Sequence, residues 1–487
     1  MLHWLHAPTS AAPLAVFRMG FGALLFFSTL RFWWLGWIED HYLDPLLHFK
    51  YWGFEWVEAP GAVGIYALHV VMLTAAVGVM VGYRYRWAAA ALFFSFTYCE
   101  LIDLTYYLNH YYFVSLTSAL LVVLPAHRRA SVDALRRPLP TDVPRWTVVA
   151  LQLQLALVYF YAGTAKINAD WLLHAQPLRL WLPAHDDLFL IGPWLREVWV
   201  AYAFSWAGML YDLTIPFWLL WRPTRPWAYA AVIAFHVMTG ILFQIGVFPL
   251  VMIVATWIFF PAPLHERILA VLSRIGRWTE EGRKTEDKGP RTEVNRQSAM
   301  GGRQSATRRP PSVLHIRPSV FSFKSSVFLP LLLFFLFQLL FPWRYLLYPG
   351  NVFWTEEGYR FAWRVMLMEK AGTATFYVRD GQTGREGVVV NGEFLNPHQE
   401  KQMSMQPDMI LQFAHYLRDH YAARGVADPE VRAEVYVTLN GRPGQLLIDP
   451  HVNLAAEEDG WRPKPWIEPW SPPAPLLTES EASNRPL

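Results

Sequence analysis

Cysteine and charge are both scarce in this 487-residue chain. Cys99 is the only cysteine, which excludes an internal disulfide and any metal site built from cysteine ligands. Charged residues make up 17% of the chain and the net charge is only +3, so nucleic acid is not an expected partner. Apolar residues make up 54%, far from the composition of an average soluble protein. The composition indicates an integral membrane protein, with the lipid bilayer as its surroundings.

Long apolar runs dominate the first 350 residues. A helix needs roughly 20 apolar residues to cross the hydrocarbon core of a bilayer. The sequence predicts nine spans, at 13–37, 61–83, 87–102, 105–125, 146–166, 198–221, 226–243, 246–261 and 326–347. The expected fold class is a mainly α membrane protein, a bundle of about nine transmembrane helices with a small C-terminal extracytoplasmic α+β domain.

Basic residues fall in alternate loops. Arg84 and Arg86 lie in the second loop and Arg222 in the sixth, whereas the first loop carries Glu39 and Asp40. Cytoplasmic loops carry the excess of lysine and arginine. The pattern therefore predicts a cytoplasmic N-terminus and, with nine spans, an extracytoplasmic location for everything after residue 347.

Composition divides the chain into five parts. We expect residues 1–261 to hold spans one to eight, and 326–347 to form the last span. Between them, the basic segment 262–325 is rich in Gly, Ser, Arg and Pro after an amphipathic start, which predicts a disordered cytoplasmic linker. Residues 348–460 show strand-like and helical patterns, including an Asn440-Gly441 turn signal for a β-hairpin, and 461–487 form a Pro-rich tail. The expected strands are 373–378, 386–390, 433–439 and 445–448, and the expected helix is 405–421.

Ionisable residues inside spans are costly and are candidates for function. Tyr159, Gly163 and Lys166 at the end of the fifth span have the spacing of one helix face. Gly163 leaves room there for a neighbouring helix or for a flat ligand. Lys166 is either a lysine that reaches the outer interface or a desolvated lysine, whose neutral form is a usable base.

Two further groups of polar residues are candidates. If the fourth span begins early enough, Asp103, Tyr106 and His110 share one face. Asp212 in the sixth span and His236 in the seventh are either a structural pair inside the bundle or part of a site. The sequence shows no metal-ligand spacing, no phosphate-binding loop and no nucleophile elbow, so no metal is expected.

Several segments resemble the vitamin K-dependent gamma-carboxylase family, in the same order along the chain. In the bundle they are Asn109-His110, the 158–171 segment with Lys166 and Ala169-Asp170-Trp171, Phe235-His236-Val237-Met238, Leu242-Phe243 and 245–248. In the C-terminal part they are Trp354-Thr355, Gly358-Tyr359, Trp363, the 379–384 segment and Ile448-Asp449-Pro450. The resemblance covers roughly residues 10–260 and 325–470. The compact chain is most similar to the bacterial members, known as horizontally transferred transmembrane domain proteins, which implies a bacterial cytoplasmic membrane.

The resemblance implies an activity and its co-substrates. The family oxygenates a reduced naphthoquinone, such as reduced vitamin K or menaquinol, to its epoxide. The strong base formed in that reaction removes a γ-proton from glutamate, and the resulting carbanion captures carbon dioxide. The implied partners are a prenylated naphthoquinone and a glutamate-containing peptide or protein, with O2 and CO2 as co-substrates and no metal.

The resemblance also implies roles for individual residues. Lys166 is the base that deprotonates the reduced quinone, and His110 with Asn109 stabilises charge or donates a proton near the glutamate carbanion. The implied quinone-binding residues are Tyr159, Gly163, His236, Asp212, Tyr359, Trp363 and Met366.

Two other classes of function stay open from the sequence. One is a quinone-binding membrane protein, redox or sensory, that lacks carboxylation, or an epoxidase only. The other is a transporter or structural membrane protein, against which the sequence shows no inverted repeat and no pair of Gly/Pro-broken spans.

Overall fold

The computed structural model describes residues 2–243, 245–286 and 325–471. A helical bundle carries a small C-terminal domain with an antiparallel sheet. The helices before residue 200 are α1 (Leu2–His6), α2 (Ala12–Trp34), α3 (Gly61–Val81), α4 (Tyr85–Ile102), α5 (Asn109–Val123), α6 (Val132–Arg136), α7 (Trp146–Ala165), α8 (Ala169–His174), α9 (Leu178–Trp181) and α10 (Val198–Leu220). The later helices are α11 (Arg225–Leu242), α12 (Phe248–Ala255), α13 (Ala262–Glu286), α14 (Ser325–Leu340), α15 (Val352–Thr355), α16 (Pro397–Met403) and α17 (Pro407–Ala422). The strands are β1 (Pro8–Ser10), β2 (Asp142–Pro144), β3 (Lys370–Arg379), β4 (Glu386–Val388), β5 (Glu430–Leu439) and β6 (Gln445–Leu446).

A helix occupies each stretch that was predicted to span the membrane. Within the described residues, four helical segments are long and apolar enough to cross a bilayer alone: Ala12–Trp34, Gly61–Val81, Trp146–Ala165 and Phe328–Leu347. A fifth span results if the pair Phe248–Phe259 and Ala262–Arg274, bent by 116°, counts as one. The protein is therefore an integral membrane protein, and the number of nine spans stays a prediction.

A buried arginine joins α2 to the C-terminal end of α3. Arg18 is fully buried and donates hydrogen bonds to the backbone oxygens of Val79 and Met80, each at 2.6 Å. The last carbonyl groups of a helix lack intrahelical partners, and a cation there is favourable. Gly82 ends α3 with φ of +67°, a conformation that favours glycine. The positive charge in the first span thus has a structural role.

The C-terminal domain packs one helix against a four-stranded antiparallel sheet in the order β4-β3-β5-β6. β3 and β5 pair along ten residues, from Lys370 opposite Leu439 to Arg379 opposite Glu430. Alternate residues of β5 are buried, as expected for a strand with one face on a core. They meet the apolar side of α17, which includes Phe413. The α+β architecture and the hairpin at Asn440-Gly441 were both predicted correctly.

Parts of the predicted linker and of the predicted tail are ordered in the structure. Residues 262–286 of the predicted disordered linker form helix α13, while 287–324 lie outside the described residues. Part of the predicted tail is ordered: Trp466 is buried, and the Trp354 indole N–H donates to the backbone oxygen of Glu468 at 2.8 Å. The aromatic residues explain this difference, because they fill the domain core despite the surrounding prolines. Residues 472–487 lie outside the described part.

A buried ion pair joins the bundle to the C-terminal domain. Asp170 follows α7, and its Oδ2 accepts hydrogen bonds from Arg442 Nη1 at 2.9 Å and from Asn440 Nδ2 at 2.7 Å. Arg442 and Asn440 are buried and lie at the tip of the β5–β6 hairpin. The hairpin therefore holds the end of α7, where Lys166 is located, at a fixed place against the domain.

We expect Arg442→Ala to lower the stability of the protein in detergent. Removing one partner leaves Asp170 as an uncompensated, largely buried charge, which typically costs about 3–5 kcal/mol. The measurement is the apparent melting temperature, with Arg385→Ala as the matched control because Arg385 is exposed. Equal melting temperatures for the two variants would show that the junction contributes nothing to stability.

Candidate functional site

Gly163 brings α7 and α10 into close contact. A Cβ at Gly163 would lie 2.7 Å from Leu213 Cγ and 2.9 Å from the Leu213 backbone nitrogen, and both distances are shorter than van der Waals contact. Of the two predicted uses of Gly163, the structure shows the neighbouring helix, and Gly163 does not line the cavity described below.

We therefore expect Gly163→Ala to destabilise the bundle. Overpacking a filled helix contact typically costs about 1–3 kcal/mol, and the backbone nitrogen of Leu213 cannot rotate away. The measurement is thermal unfolding in detergent. Gly392→Ala is the matched control, since a Cβ there meets nothing within 4 Å. A melting temperature for Gly163→Ala equal to that of the control would contradict the close contact.

Lys166 is buried and forms an ion pair with Asp212. Lys166 Nζ lies 2.7 Å from Asp212 Oδ2 and 3.2 Å from the backbone oxygen of Ala162. Only 6% of Lys166 and 4% of Asp212 is exposed. Lys166 is thus desolvated and does not reach the interface. The close approach of α7 and α10 produces this pair.

The turn after α7 places an aromatic ring over the lysine. Asn168 caps α8 by accepting a hydrogen bond from the Trp171 backbone N–H at 2.9 Å. The Trp171 ring then lies with its centroid 5.4 Å from Lys166 Nζ, within the range of a cation–π interaction. The ammonium group therefore faces a carboxylate on one side and an aromatic ring on another.

His236 has a different partner from the one considered in the sequence. Its Nε2 lies 3.1 Å from the Tyr159 hydroxyl, while Asp212 is bonded to Lys166, so the possible Asp212–His236 pair does not form. His236 Nδ1 is buried, and within the described part of the chain it has no hydrogen-bond partner. An unsatisfied buried nitrogen is unusual in a native structure and is a position where a ligand's polar group fits.

These four side chains line one cavity of about 100 Å³, which we call the lysine cavity. Lys166, Asp212, Tyr159 and His236 supply its polar groups. The other lining residues are apolar, aromatic or small: Val158, Ala162, Trp171, Leu178, Phe204, Gly208, Phe235, Thr239, Phe243, Ile245, Phe248, Met252, Val365 and Met366. An apolar cavity with a few convergent polar groups suits a flat, largely apolar ligand.

A second cavity of about 480 Å³ adjoins the first, and we call it the histidine cavity. His110 and Asn109 line it, together with Tyr359, Arg364 and others. Both cavities are lined by Ile245, Phe248, Val365 and Met366. The Phe248 ring centroid lies 5.8 Å from the His110 ring and 5.9 Å from the His236 ring. Lys166 and His110 therefore belong to neighbouring cavities with a common wall.

Asn109 connects α5 to the segment that follows α15. Its Oδ1 accepts a hydrogen bond from the Tyr107 hydroxyl at 3.1 Å, and its Nδ2 donates to the backbone oxygen of Arg364 at 3.0 Å. Both polar atoms of Asn109 are thus engaged within the protein. The geometry makes Asn109 a residue that positions the wall of the histidine cavity.

The face predicted from Asp103, Tyr106 and His110 does not exist. α5 begins only at Asn109, and Asp103 instead caps a 3₁₀ turn by accepting from the Thr105 backbone N–H at 2.9 Å. Asp103 also accepts a hydrogen bond from the side-chain amide nitrogen Nε2 of Gln399 at 3.0 Å. The prediction was wrong because these contacts hold the residues before Asn109 in a non-helical turn.

The wall between the cavities comes from a segment with unusual backbone angles. Phe361, Trp363 and Met366 have φ values of +58°, +56° and +54°. Such angles in non-glycine residues cost about 1–3 kcal/mol each and often occur at functional sites. Met366 lines both cavities and Tyr359 only the histidine cavity.

Trp363 has a structural position. It is buried in the bundle core, its ring centroid 4.9 Å from that of Tyr112, and it lines neither cavity. Sequence reasoning missed Arg364, although this arginine directly follows Trp363 in the matched segment.

Comparison with known protein families agrees with the two-part architecture. Residues 6–263, more than half of the chain, match the HTTM domain. Residues 323–472 match the lumenal domain of vitamin K-dependent gamma-carboxylase. No solved structure matches the chain significantly. The lumenal domain of the family indicates that the C-terminal domain of this membrane protein is extracytoplasmic, and the chain belongs to the vitamin K-dependent gamma-carboxylase family.

Proposed function

We propose that the protein oxygenates a reduced naphthoquinone to its epoxide and uses this reaction to carboxylate glutamate. The observation that carries the proposal is the buried Lys166–Asp212 pair in an apolar cavity that shares a wall with the cavity of His110. In the overall reaction, reduced quinone, O2, CO2 and a glutamyl residue give quinone epoxide, γ-carboxyglutamate and water.

The chemistry needs more than a side chain can supply. A glutamate γ-C–H bond is far too weak an acid for a lysine or histidine to deprotonate. The ammonium form of lysine and a phenol, however, have similar ordinary pKa values of about 10. A neutral lysine can therefore take the proton of a reduced quinone. Reaction of the deprotonated quinone with oxygen then supplies the stronger base. The apolar walls of the lysine cavity exclude water, which would quench such a base.

We assign the initiating base to Lys166. Its amine accepts the proton of one quinone hydroxyl, and Asp212, 2.7 Å away, stabilises the ammonium that forms. A base must be neutral to accept this proton, so the proton that Lys166 gains has to leave before the next turnover. Tyr159 and His236 Nδ1 are placed to orient the quinone by hydrogen bonding.

We assign the glutamyl side chain to the histidine cavity. His110 lines this cavity, and its ring is one aromatic side chain away from the lysine cavity through Phe248. A neutral imidazole at this place can donate a hydrogen bond to charge that develops on the substrate. The base formed on the quinone must reach the glutamyl γ-proton, so the two substrates have to meet at the boundary that Ile245, Phe248, Val365 and Met366 line in both cavities.

The proposed topology places both cavities at the outer side of the membrane. It has nine spans, a cytoplasmic N-terminus in a bacterial cytoplasmic membrane, and the domain boundaries predicted above. Support comes from the Asp170–Arg442 contact, which joins the end of α7 to the extracytoplasmic domain.

One observation favours a second candidate, a quinone-binding membrane protein without carboxylation. The Lys166–Asp212 pair is net neutral and joins α7 to α10, which is sufficient for a purely structural role. In that case the lysine cavity binds a quinone but does not turn it over. An epoxidase without carboxylation is the intermediate possibility.

The test is to measure both products in one reaction. Purified protein in nanodiscs receives reduced menaquinone, oxygen, ¹⁴C-bicarbonate and a short glutamate-containing peptide. The proposal predicts epoxide and ¹⁴C-labelled peptide in equal amounts, and neither product with oxidised menaquinone. Epoxide without fixed carbon would leave an epoxidase only. Bound quinone with no epoxide, from protein shown to be folded, would contradict the proposal.

A further inference from the structure

Arg364 lies in the wall of the histidine cavity, where the proposed function places the glutamyl side chain. Only 6% of it is exposed. Its guanidinium carbon lies 4.3 Å from the ring centroid of Tyr345 and 5.4 Å from that of Phe353. Both rings line a separate cavity that Arg364 also lines, so Arg364 lies between that cavity and the histidine cavity, which contains His110.

Other buried cations of the C-terminal domain have a carboxylate partner. Arg360 pairs with Asp408, Arg442 with Asp170, and Lys370 with Glu356. Arg364, in contrast, forms no ion pair with any residue in the described ranges, and its buried Nε has no hydrogen-bond partner there. Burial lowers the pKa of Arg364, and the groups that counteract this are Tyr359 and Tyr345 rather than a carboxylate. Arginine nevertheless stays charged in proteins.

A buried, unpaired guanidinium is costly, since ions removed from water normally have a partner. An anion that enters the histidine cavity would supply the missing partner. A planar guanidinium matches a carboxylate especially well, because it can donate two parallel hydrogen bonds.

We propose that Arg364 binds the side-chain carboxylate of the glutamyl substrate in the histidine cavity. This inference rests on the proposed function, and it names the residue that selects glutamate over uncharged side chains. His110, in the same cavity, is then left to act on the reacting carbon rather than to hold the carboxylate.

Binding at this position also assists the reaction. Removal of the γ-proton adds a second negative charge next to the carboxylate. A cation already in place at the carboxylate stabilises this charge as it develops, without reorganisation at the moment of reaction.

The structure holds Arg364 firmly enough for such a role. Its backbone oxygen accepts the hydrogen bond from Asn109 Nδ2 at 3.0 Å, and Trp363 on one side has a positive φ. Asn109 thereby acts on the substrate through Arg364, as a positioning residue.

The experiment compares a glutamate-containing peptide with the same peptide containing glutamine. Fluorescein-labelled forms of both are titrated with protein in nanodiscs, and the KM of the glutamyl peptide is measured by ¹⁴CO2 fixation. Hydrogen bonds to charged groups predict that Arg364→Gln weakens binding and raises KM roughly 10- to 100-fold. We also expect the Arg364→Gln variant to lose the preference for the glutamyl over the glutaminyl peptide. Arg364→Lys keeps the charge and is expected to recover part of the affinity and part of the preference. Arg385→Gln, at an exposed arginine, is the control and should match the wild type.

The outcomes separate this inference from the proposed function. Epoxide formation and carboxylation by the wild type, with an unchanged KM and unchanged preference in Arg364→Gln, would overturn the role of Arg364 and leave the function intact. Equal loss of binding in Arg364→Gln and Arg364→Lys would also overturn it, since a merely structural role of the stacked side chain explains that result. A wild type that makes no epoxide and binds both peptides equally would overturn both proposals.

Discussion

Replacing Lys166 by alanine is expected to abolish epoxide formation from reduced menaquinone. Lys166 Nζ is at the wall of the lysine cavity, 2.7 Å from Asp212 Oδ2, and it is the group that takes the quinone proton. General-base catalysis contributes roughly 10²–10⁴-fold to a rate, so the rate of epoxide formation should fall by at least the lower of these factors. The measurement is chromatographic quantification of epoxide per mole of folded protein.

A folding defect must be separated from this chemical effect. Lys166→Ala leaves Asp212 buried without its partner, which typically costs about 3–5 kcal/mol. The double variant Lys166→Met/Asp212→Asn removes both charges together and should fold more readily while staying inactive. Lys401→Ala, at an exposed lysine, is the matched control with full activity. An active double variant would show that Lys166 is not the base.

Replacing His110 by alanine is expected to uncouple the two half-reactions. His110 lines the histidine cavity, whereas the quinone is assigned to the lysine cavity. Carboxylation should therefore fall much more than epoxide formation, and loss of a positioned acid or base corresponds to roughly 10²-fold or more. The measurement is the ratio of ¹⁴C fixed in peptide to epoxide formed, which is near one for the wild type under the proposal.

Two comparisons make this result interpretable. His451→Ala is the matched control because His451 is exposed in the C-terminal domain, and its product ratio should equal that of the wild type. If His110→Ala reduces both products by the same factor, His110 acts on the quinone half-reaction and the assignment of the two cavities is wrong.

Local patterns in the sequence predicted most of the elements. Apolar runs located the helices of the bundle, and the alternating residues 433–439 correspond to part of β5, Glu430–Leu439. These features depend on neighbours within a few residues, which is why they can be predicted from the sequence alone. The predicted helix 405–421 likewise corresponds to α17, Pro407–Ala422.

Pairing between distant residues could not be predicted in this way. Lys166 and Asp212 were both recognised as unusual charges in spans, but 46 residues separate them. Nothing local distinguishes this pair from Asp212 with His236. The pair forms because Gly163 permits close approach of α7 and α10, which is a property of tertiary packing.

The wall between the two cavities was the least predictable part of the site. Residues 359–366 have no helical or strand periodicity, and three of them have positive φ. The resemblance pointed to Tyr359, Trp363 and Met366 as a group. The structure separates them into a histidine-cavity residue, a core residue and a shared-wall residue. The backbone angles of this segment, which tertiary contacts impose, decide where each of these three side chains lies.

The most direct test of the central claim is the position of the quinone. An experimental structure of the protein with reduced menaquinone, prepared without oxygen, should show the naphthoquinone ring in the lysine cavity. One of its hydroxyl groups should lie about 2.6–3.2 Å from Lys166 Nζ, the distance required for proton transfer. A ring bound elsewhere, for example in the separate cavity lined by Trp343 and Asn168, would contradict the account.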